Sequence, residues 1–349
     1  MGGMTGRGEA LGLAVLLATA APAPAFSGAP AVRAAYFYEY MGNDHLDLLR
    51  GAGFNRALVH AIGDSLPLDG GARLRSLKAH GDSIGVEVVP QWALEADSRL
   101  SALPGLRRYT WGDGNHEIDV ACPLDSLFWR SALLDRAEEV LAAVPVKRMA
   151  VDLELHSATR THYDAGPCRC RWCLTEYAGP SGLSYMGSGA RRLKGLLSFE
   201  ESRVFHILRG LLEEFHERHP DVEIGVFDLD LDSFVHRALA RALARSGVPA
   251  ADYCERSYSE GGSVLPGARG RLAGLGLPDA PLIGGVWLKR FAPHELPEAL
   301  RSIASSADGY FVFTTYSLWI DPSQLEGPYI LQGSPDDYWR ALREVNATP

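Results

Sequence analysis

Short runs of apolar, β-branched and aromatic residues alternate with longer amphipathic stretches along most of the chain. Eight of these runs predict strands, at 35–40, 56–61, 86–92, 148–155, 222–230, 251–258, 281–288 and 309–316. Between them apolar residues recur every three or four positions, which predicts helices that include 128–143, 199–219, 234–246 and 294–305. Ser198 and Glu201 have the spacing of a capping box at the start of the second of these helices.

The order of these elements predicts the fold class. Near-continuous apolar strands that alternate with helices indicate a parallel sheet covered on both faces. Eight strands favour closure into a single (β/α)₈ TIM barrel, here over residues 26–349, with a long cysteine-containing loop after strand four. The alternative is an open dinucleotide-binding sheet, which is disfavoured because no glycine-rich phosphate loop follows the first strand.

The N-terminus has the pattern of a secretory signal peptide. Arg7 supplies a positive charge, residues 11–20 are apolar, and the Ala/Pro tract 21–25 offers a cleavage site before Phe26. An apolar stretch of this length is too short to span a bilayer. A buried N-terminal helix is the weaker interpretation because the Ala/Pro tract follows at once. We therefore expect residues 1–25 to be removed and the mature protein to be secreted or periplasmic, without membrane insertion.

Charge and aromatic content narrow the class of partner. The formal net charge of −9 argues against nucleic acid, which normally requires a basic face. Seven Trp and 13 Tyr are compatible with a carbohydrate site, since sugar rings stack on aromatic faces.

Two carboxylates at the end of the fourth predicted strand carry the sharpest chemical signal. In a closed barrel the active site is built at the carboxyl ends of the strands, and side chains two residues apart in a strand share a face. Asp152 and Glu154 therefore point the same way. Two neighbouring like charges disfavour simultaneous ionisation, which suits a general acid beside an ionised partner. The alternative is that both are structural carboxylates paired with basic groups.

Other polar and aromatic residues near the strand ends are candidates for the same site. Asp230 or Glu255 would be the second catalytic carboxylate, and Trp92, Tyr258, Trp287 and Trp319 would form a sugar platform. The remaining candidates for substrate binding are Glu39, His60, Gln91, Asp228, Lys289 and Tyr316. Any one of them taken alone is equally well explained as a satisfied polar group of the core.

Four of the five cysteines have the spacing of a structural metal site. Cys168, Cys170 and Cys173 form a C-x-C-x-x-C cluster, and Cys122 is the natural fourth ligand for tetrahedral zinc. The alternative is two disulfides, such as Cys122 with Cys170 and Cys168 with Cys173, which an exported protein can form. Either role is structural. Cys254 lies in a predicted strand and is interpreted as a buried free thiol.

This combination resembles two families of barrel hydrolases. Cys122-Pro123, Glu154 and the C-x-C-x-x-C cluster resemble the zinc-bearing family 42 β-galactosidases in order and approximate spacing. That family also has a nucleophilic glutamate on strand seven, where this chain has no acid, so its double displacement does not transfer. Asp152-Leu153-Glu154 resembles the end of the family 18 chitinase motif, in which the glutamate is the acid. That resemblance implies that Asp152 orients an acetamido group and that Tyr258 and Trp319 complete the site.

The hypothesis from sequence is a secreted glycoside hydrolase with Glu154 as general acid and Asp152 as its partner. A catalytically inactive barrel that binds glycans or another protein is the main alternative. A metal-dependent hydrolase of the amidohydrolase type is disfavoured, since strand one lacks the His-x-His pair usual in such barrels.

Overall fold

Eight parallel strands close into a barrel in the computed structural model, which describes residues 32–38, 40–60, 69–94, 103–111, 116–153, 166–179 and 190–347. The described strands are β1 (Val32–Phe37), β2 (Arg56–His60), β3 (Glu87–Ala93), β4 (Arg108–Trp111), β5 (His116–Ala121), β6 (Arg148–Asp152), β7 (Glu223–Phe227), β8 (Ala250–Cys254), β9 (Leu282–Trp287) and β10 (Gly309–Phe313). The barrel has the order β1-β10-β9-β8-β7-β6-β3-β2, and β4 pairs with β5 as a separate antiparallel hairpin.

Helices follow most barrel strands and cover the outside. They are α1 (Asn43–Gly51), α2 (Ala72–Ile84), α3 (Ser126–Trp129), α4 (Arg136–Ala143), α5 (Arg171–Ala178), α6 (Ala190–Arg218), α7 (Phe234–Ser246), α8 (Ser257–Glu260), α9 (Leu265–Gly274), α10 (Leu296–Ala304) and α11 (Pro335–Ala347). A π-helical segment, Arg130–Asp135, joins α3 to α4. No helix in the described ranges is long and apolar enough to cross a membrane.

Alternation along the strands separates an inner core from an outer one. One side chain from each of the eight barrel strands meets the others in the centre, in a cluster of Ala34, Leu58, Val89, Ala150, Phe227, Tyr253, Ile283 and Phe311. Their strand neighbours pack outward against the helices in a second, larger cluster. Because the side-chain period of a strand is two, residues two positions beyond this inner layer face the interior at the carboxyl ends.

A charged layer closes the amino-terminal end of the barrel. Arg56 pairs with Glu87 at 2.8 Å, and Arg148 bridges Glu87 at 2.6 Å and Glu223 at 3.0 Å. The Arg56 guanidinium also donates to the Tyr253 hydroxyl at 3.2 Å. These groups fill the interior at the first residues of their strands. The carboxyl ends are thus the face left for a site, as in barrel enzymes generally.

The prediction of a closed (β/α)₈ barrel is confirmed, whereas the long cysteine-containing loop after its fourth strand stays a prediction because residues 154–165 lie outside the described ranges. All eight predicted strand ranges overlap barrel strands, and the helices predicted at 234–246 and 294–305 correspond to α7 and α10. The hairpin β4–β5 was not predicted. The capping-box prediction is wrong, because α6 already begins at Ala190 and the Ser198 hydroxyl donates to Lys194 O inside it. The predicted signal peptide lies outside the described residues.

Candidate functional site

The carboxyl ends of the strands form a mouth lined by polar and aromatic side chains. Six residues stand on the inward-facing register of their strands beyond the inner apolar layer. Tyr36, His60, Gln91, Asp152 and Phe313 are two positions beyond it, and Trp287 is four positions beyond it. Glu255 and Tyr258 contribute from the segment after β8, and Phe227, a member of the inner layer, contacts Tyr36 at the base of the mouth. Of the predicted site residues, Glu39 and Glu154 lie outside the described part of the chain.

Asp152 ends β6 in a nearly buried position. Its residue is 7% exposed, and its backbone carbonyl accepts a hydrogen bond from Leu94 N at 2.9 Å, which ties the ends of β3 and β6 together. A carboxylate is costly to bury without compensating interactions, so few are found at the interior end of an apolar strand. This observation agrees with the placement that the strand pattern predicts for Asp152.

Tyr258 and Glu255 form a hydrogen-bonded pair inside the mouth. The Tyr258 hydroxyl donates to Glu255 Oε1 at 3.1 Å, and the Tyr258 ring stacks on Phe313 at 5.4 Å. Burial raises the pKa of Tyr258 well above its usual value, and the charges of Glu255, Asp152 and Asp228 raise it further. The three carboxylates are therefore near the Tyr258 phenol. This phenol stays protonated and can donate a hydrogen bond.

Gly285 on β9 is what makes room for the Tyr258 ring. A Cβ atom at Gly285 would lie 2.4 Å from Tyr258 Cε1 and 2.7 Å from Phe311 Cζ, well inside contact distance. The Ser257 hydroxyl donates to Gly285 O at 2.8 Å and holds the start of α8 against β9. The close approach of backbone and ring explains a glycine at this position of the strand.

Two buried polar groups near the mouth have no hydrogen-bond partner among the described residues. The Gln91 side chain is fully buried, and neither its amide nitrogen nor its amide oxygen is paired. The Trp287 indole nitrogen is likewise buried and unpaired. Buried polar atoms are almost always hydrogen-bonded, and leaving one unpaired costs about 1–3 kcal/mol. Both groups are thus suited to bind polar atoms of a ligand.

Three buried aspartates, Asp228, Asp230 and Asp252, form what we call the aspartate cluster beside the mouth. Asp228 Oδ1 accepts from Glu255 N at 2.7 Å, and Asp252 Oδ1 accepts from Leu229 N at 2.9 Å. Asp228 has a positive φ of 53°, which turns the chain sharply after β7. The cluster joins the loop after β7 to the end of β8 and so positions Glu255.

Asp230 does not reach the mouth as a catalytic carboxylate. Its side chain is fully buried, and Oδ2 is held by the guanidinium groups of Arg256 and Arg271. A carboxylate bound by two arginines serves the structure. Asp230 is therefore a satisfied polar group of the core, which is the alternative that its sequence position left open. We therefore do not assign water activation to Asp230, and Glu255 remains the candidate for the second carboxylate.

Asp252 makes the stability of the fold depend on pH in a way that can be tested. Burial raises its pKa well above the usual value, and the charges of Asp230 and Asp228 add to the shift. Its protonated form therefore stabilises the fold at low pH, and that contribution is lost as pH rises through the raised pKa. We expect Asp252→Asn, which mimics the protonated form, to match the wild-type Tm near pH 4 and exceed it by about 2 °C or more at pH 8.

Thermal unfolding between pH 4 and pH 8 provides the measurement. The matched control is Asp221→Asn, which replaces an exposed aspartate in the turn before β7, outside the aspartate cluster, and should change the Tm little. If the Tm difference between Asp252→Asn and wild type is constant with pH, or shrinks toward pH 8, the raised pKa of Asp252 is contradicted.

Several residues predicted at the mouth lie elsewhere or serve the scaffold. Trp92 is 1% exposed, and its indole donates to Ala132 O at 2.9 Å in the helical layer, so it is outside the mouth. Trp319 packs against Trp339 at 4.9 Å and His45 at 4.8 Å, between the first and last helices. Neither position fits the predicted sugar platform. Lys289 donates to Gly327 O at 2.9 Å and fixes the loop after β10.

The mouth has an aromatic lining that does not include Trp92 or Trp319. Tyr36 contacts Phe313 at 5.4 Å and Phe227 at 6.4 Å, while Trp287 lies 6.1 Å from Phe313 and 6.3 Å from Tyr258. Tyr258 and Trp287 were predicted, whereas Tyr36, Phe227 and Phe313 were missed. Strand alternation carried the signal for Tyr36, because the inward register of β1 passes through Ala34 and Tyr36.

Four cysteines meet outside the barrel, as their spacing predicted. The sulfur atoms of Cys122, Cys168, Cys170 and Cys173 all lie within 4.8 Å of one another and all four residues are buried. Cys122 Sγ is 3.3 Å from Cys173 Sγ and 3.7 Å from Cys170 Sγ, too far for a disulfide. In a tetrahedral site with Zn–S bonds of about 2.3 Å, sulfur atoms are about 3.8 Å apart. The cluster therefore fits a metal ion.

The surroundings of these sulfurs are also those of metal ligands. Backbone N–H groups of Cys173 and Thr110 donate to Cys170 Sγ at 3.5 Å and Cys168 Sγ at 3.4 Å. Hydrogen bonds among the neighbouring thiols lower the pKa of Cys170 and raise the pKa of Cys122 and Cys173, so Cys170 is the first of these three to become a thiolate, the form that binds metal. Glu200, which was not predicted from the sequence, is fully buried and accepts a hydrogen bond from Cys168 N at 2.9 Å. Cys254 is a buried free thiol, as predicted.

Comparison with known proteins supports the fold. No protein-family model matches the chain, and no curated protein matches it in sequence. The β-galactosidase of the psychrophilic Marinomonas ef1 is a structural neighbour, with a TM-score of 0.60 at 9% identity over 90% of this chain and 59% of that one. The chain thus spans about three fifths of the length of that enzyme. The endo-β-N-acetylglucosaminidase of Cordyceps militaris is similar over 91% of each chain at 10% identity, with a TM-score of 0.46.

Proposed function

We propose that the chain is a secreted glycoside hydrolase-like enzyme with Glu154 as general acid and Asp152 as its partner. One observation carries this proposal: a nearly buried carboxylate, Asp152, ends the fourth barrel strand in a mouth shared with the Tyr258–Glu255 pair. Glu154 follows two positions later in the sequence. The structural neighbour with a TM-score of 0.60 is a β-galactosidase, which agrees with this reaction class.

The proposed chemistry divides between the two sides of the mouth. Glu154 gives its proton to the glycosidic oxygen as the bond to the sugar breaks, while Asp152 stays ionised beside it. On the other side Glu255 accepts a proton from the attacking water, and Tyr258 holds the Glu255 carboxylate through its hydrogen bond. Such an inverting reaction requires carboxyl groups about 6.5–9.5 Å apart.

Substrate recognition would use the unpaired polar groups and the aromatic lining. The amide of Gln91 offers one acceptor and a donor group, and the Trp287 indole offers one donor. Sugar hydroxyls can satisfy both kinds of group. Tyr36, Tyr258 and Phe313 present ring surface around them, as expected for a ligand with apolar faces and polar edges.

We further propose that the four cysteines bind zinc and that the N-terminal 25 residues direct export. Cys122, Cys168, Cys170 and Cys173 would all be ligands, so the site is closed and leaves no position for catalytic water. Zinc there would fix the segment after β6 to the hairpin β4–β5 through Cys122 and would not enter the reaction. Glu200 would orient the Cys168 backbone from outside the ligand set.

Hydrolysis of a panel of para-nitrophenyl glycosides tests the proposed function. The panel comprises the β-galactoside, β-glucoside, N-acetyl-β-glucosaminide, β-xyloside and α-fucoside. We expect turnover of at least one member, and a loss of about tenfold or more in Asp152→Asn, because the ionised partner is removed. The exposed Asp221→Asn should retain wild-type activity.

The alternative is a barrel that binds glycans without cleaving them. One feature favours it: the inward position at the end of β9 is Trp287, so this strand supplies no nucleophilic acid. Binding of the same sugars by calorimetry, without turnover of any panel member, would support the alternative and reject the enzyme.

A further inference from the structure

A continuous row of tyrosines leads from the mouth to the protein surface. We call Tyr36, Tyr38, Tyr40, Tyr316 and Tyr329 the tyrosine ridge. Ring centroids are 4.9 Å apart for Tyr36 and Tyr38, 5.9 Å for Tyr38 and Tyr40, 5.6 Å for Tyr40 and Tyr316, and 5.1 Å for Tyr316 and Tyr329. The first ring, Tyr36, also contacts Phe313 in the mouth at 5.4 Å. The ridge therefore continues the aromatic lining outward without a break.

The outer part of the ridge is accessible. Tyr40 is 52% exposed, one of the few large apolar side chains with this much exposure in the described ranges. Exposed aromatic surface that continues a concave site is typical of a ligand-binding surface, whereas single scattered apolar residues need no explanation. The other rings are partly buried and support Tyr40 from behind.

The ridge is also held in place before any ligand binds. The Arg73 guanidinium donates to Tyr38 O at 2.7 Å and to Met41 O at 3.0 Å, which fixes the chain on both sides of Tyr40. The Ser317 hydroxyl donates to Tyr329 O at 2.7 Å. A surface with fixed rings loses little conformational entropy on binding, so contacts with it translate into affinity.

The chemistry of the ridge suits a neutral ligand with apolar faces and many hydroxyl groups. None of its five members is charged, and each offers a ring face together with a phenol that donates and accepts. Burial raises the pKa of Tyr40, and the nearby phenols of Tyr316 and Tyr329 raise it further, so the Tyr40 hydroxyl stays protonated. Successive sugar units present this combination of faces and edges.

We infer that the tyrosine ridge binds sugar units beyond those at the catalytic carboxylates, so that the substrate is an oligosaccharide or polysaccharide chain. This inference rests on the proposed function, since it extends the same mouth. It assigns sugar binding to Tyr38, Tyr40 and Tyr329, which were not predicted as site residues. Tyr316, which was predicted to bind substrate, is one ring of the ridge.

The dependence of affinity on chain length tests the inference. The probes are unbranched oligosaccharides of two to six units, built from the sugar whose para-nitrophenyl glycoside is cleaved and titrated calorimetrically into Glu154→Gln to prevent turnover. We expect affinity to rise with length. Adding Tyr40→Ala or Tyr329→Ala should weaken binding of the six-unit chain by about fivefold to tenfold and change binding of the two-unit chain by less than about twofold.

Two further variants separate ring stacking from general effects. Tyr40→Phe keeps the ring and should retain most of the affinity for the six-unit chain. Trp172→Ala removes an exposed ring on α5, far along the chain from the ridge, and should change nothing. Circular dichroism and Tm should show that each variant is folded.

Failure of this inference can be told apart from failure of the proposed function. Cleavage of an aryl glycoside, combined with affinity that does not depend on chain length or on Tyr40 and Tyr329, overturns the inference and leaves the proposed function standing. Absence of cleavage of every glycoside in the panel overturns both.

Discussion

Replacing Cys173 by serine is expected to abolish zinc binding and to destabilise the barrel by about 3 kcal/mol or more, which corresponds to a Tm at least about 4 °C lower. The reason is the geometry of the cluster. Cys173 Sγ lies 3.3 Å from Cys122 Sγ, and the four sulfurs meet in a buried position that a metal ion can hold together. Because metal binds the folded chain in preference to the unfolded one, its loss lowers the free energy of unfolding.

Elemental analysis and thermal unfolding of the purified protein check this prediction. Wild type should contain one zinc ion per chain and Cys173→Ser much less. Cys254→Ala is the matched control, since it removes a buried thiol outside the cluster and should keep the zinc. Its Tm also shows the cost of altering a buried cysteine without losing metal.

Thiol titration of the denatured, metal-free protein distinguishes zinc from disulfides. The zinc interpretation predicts that all five cysteines react. The disulfide alternative predicts one reactive thiol, that of Cys254, and no bound zinc. That second result would reject the metal site, although the cysteines would retain a structural role.

The barrel was predictable because its signals are local and repeated. Each strand is a short apolar run followed by an amphipathic stretch, and errors of a few residues at the ends do not change the count. The boundaries of α6 show where such signals fail. Ser198 and Glu201 have capping-box spacing, but Glu201 instead pairs with Arg237 of α7 at 2.6 Å, a contact between elements that spacing cannot reveal.

The site was predictable only in part, again because contacts between elements far apart in the sequence decide where some side chains lie. Position at a strand end predicts that a residue is near the mouth, and Asp152, Glu255 and Tyr258 are there. The same argument placed Asp230 at the mouth, because the arginines that bind it come from 26 and 41 residues further along the chain. Trp92 stands one position after the inward-facing Gln91 and so points to the opposite face.

Other site features depend on packing that no short motif encodes. Glu200 is an acid within a long helix, and its contact with Cys168 depends on how α6 crosses the cysteine segment. The tyrosine ridge combines residues at and just beyond the end of β1 with residues after β10. These two segments are almost 300 positions apart in sequence and become neighbours because β1 and β10 close the barrel.

The second large effect is expected from Glu154→Gln. If Glu154 donates the proton to the leaving oxygen, the variant should lose about 10²–10⁴-fold in kcat/KM on a glycoside with a poor leaving group, such as an unactivated disaccharide. A dinitrophenyl leaving group departs as a stable anion and needs no proton. With that substrate the loss should be at least about tenfold smaller. Glu217→Gln, an exposed glutamate on α6, is the matched control and should behave as wild type with both substrates.

Comparison of kcat/KM for these two leaving groups in wild type and Glu154→Gln is the most direct measurement of the proposed chemistry. A large loss for the disaccharide together with a small loss for the dinitrophenyl glycoside is the predicted result. Equal losses for the two substrates, or activity as high as that of Glu217→Gln, would contradict a general acid at Glu154.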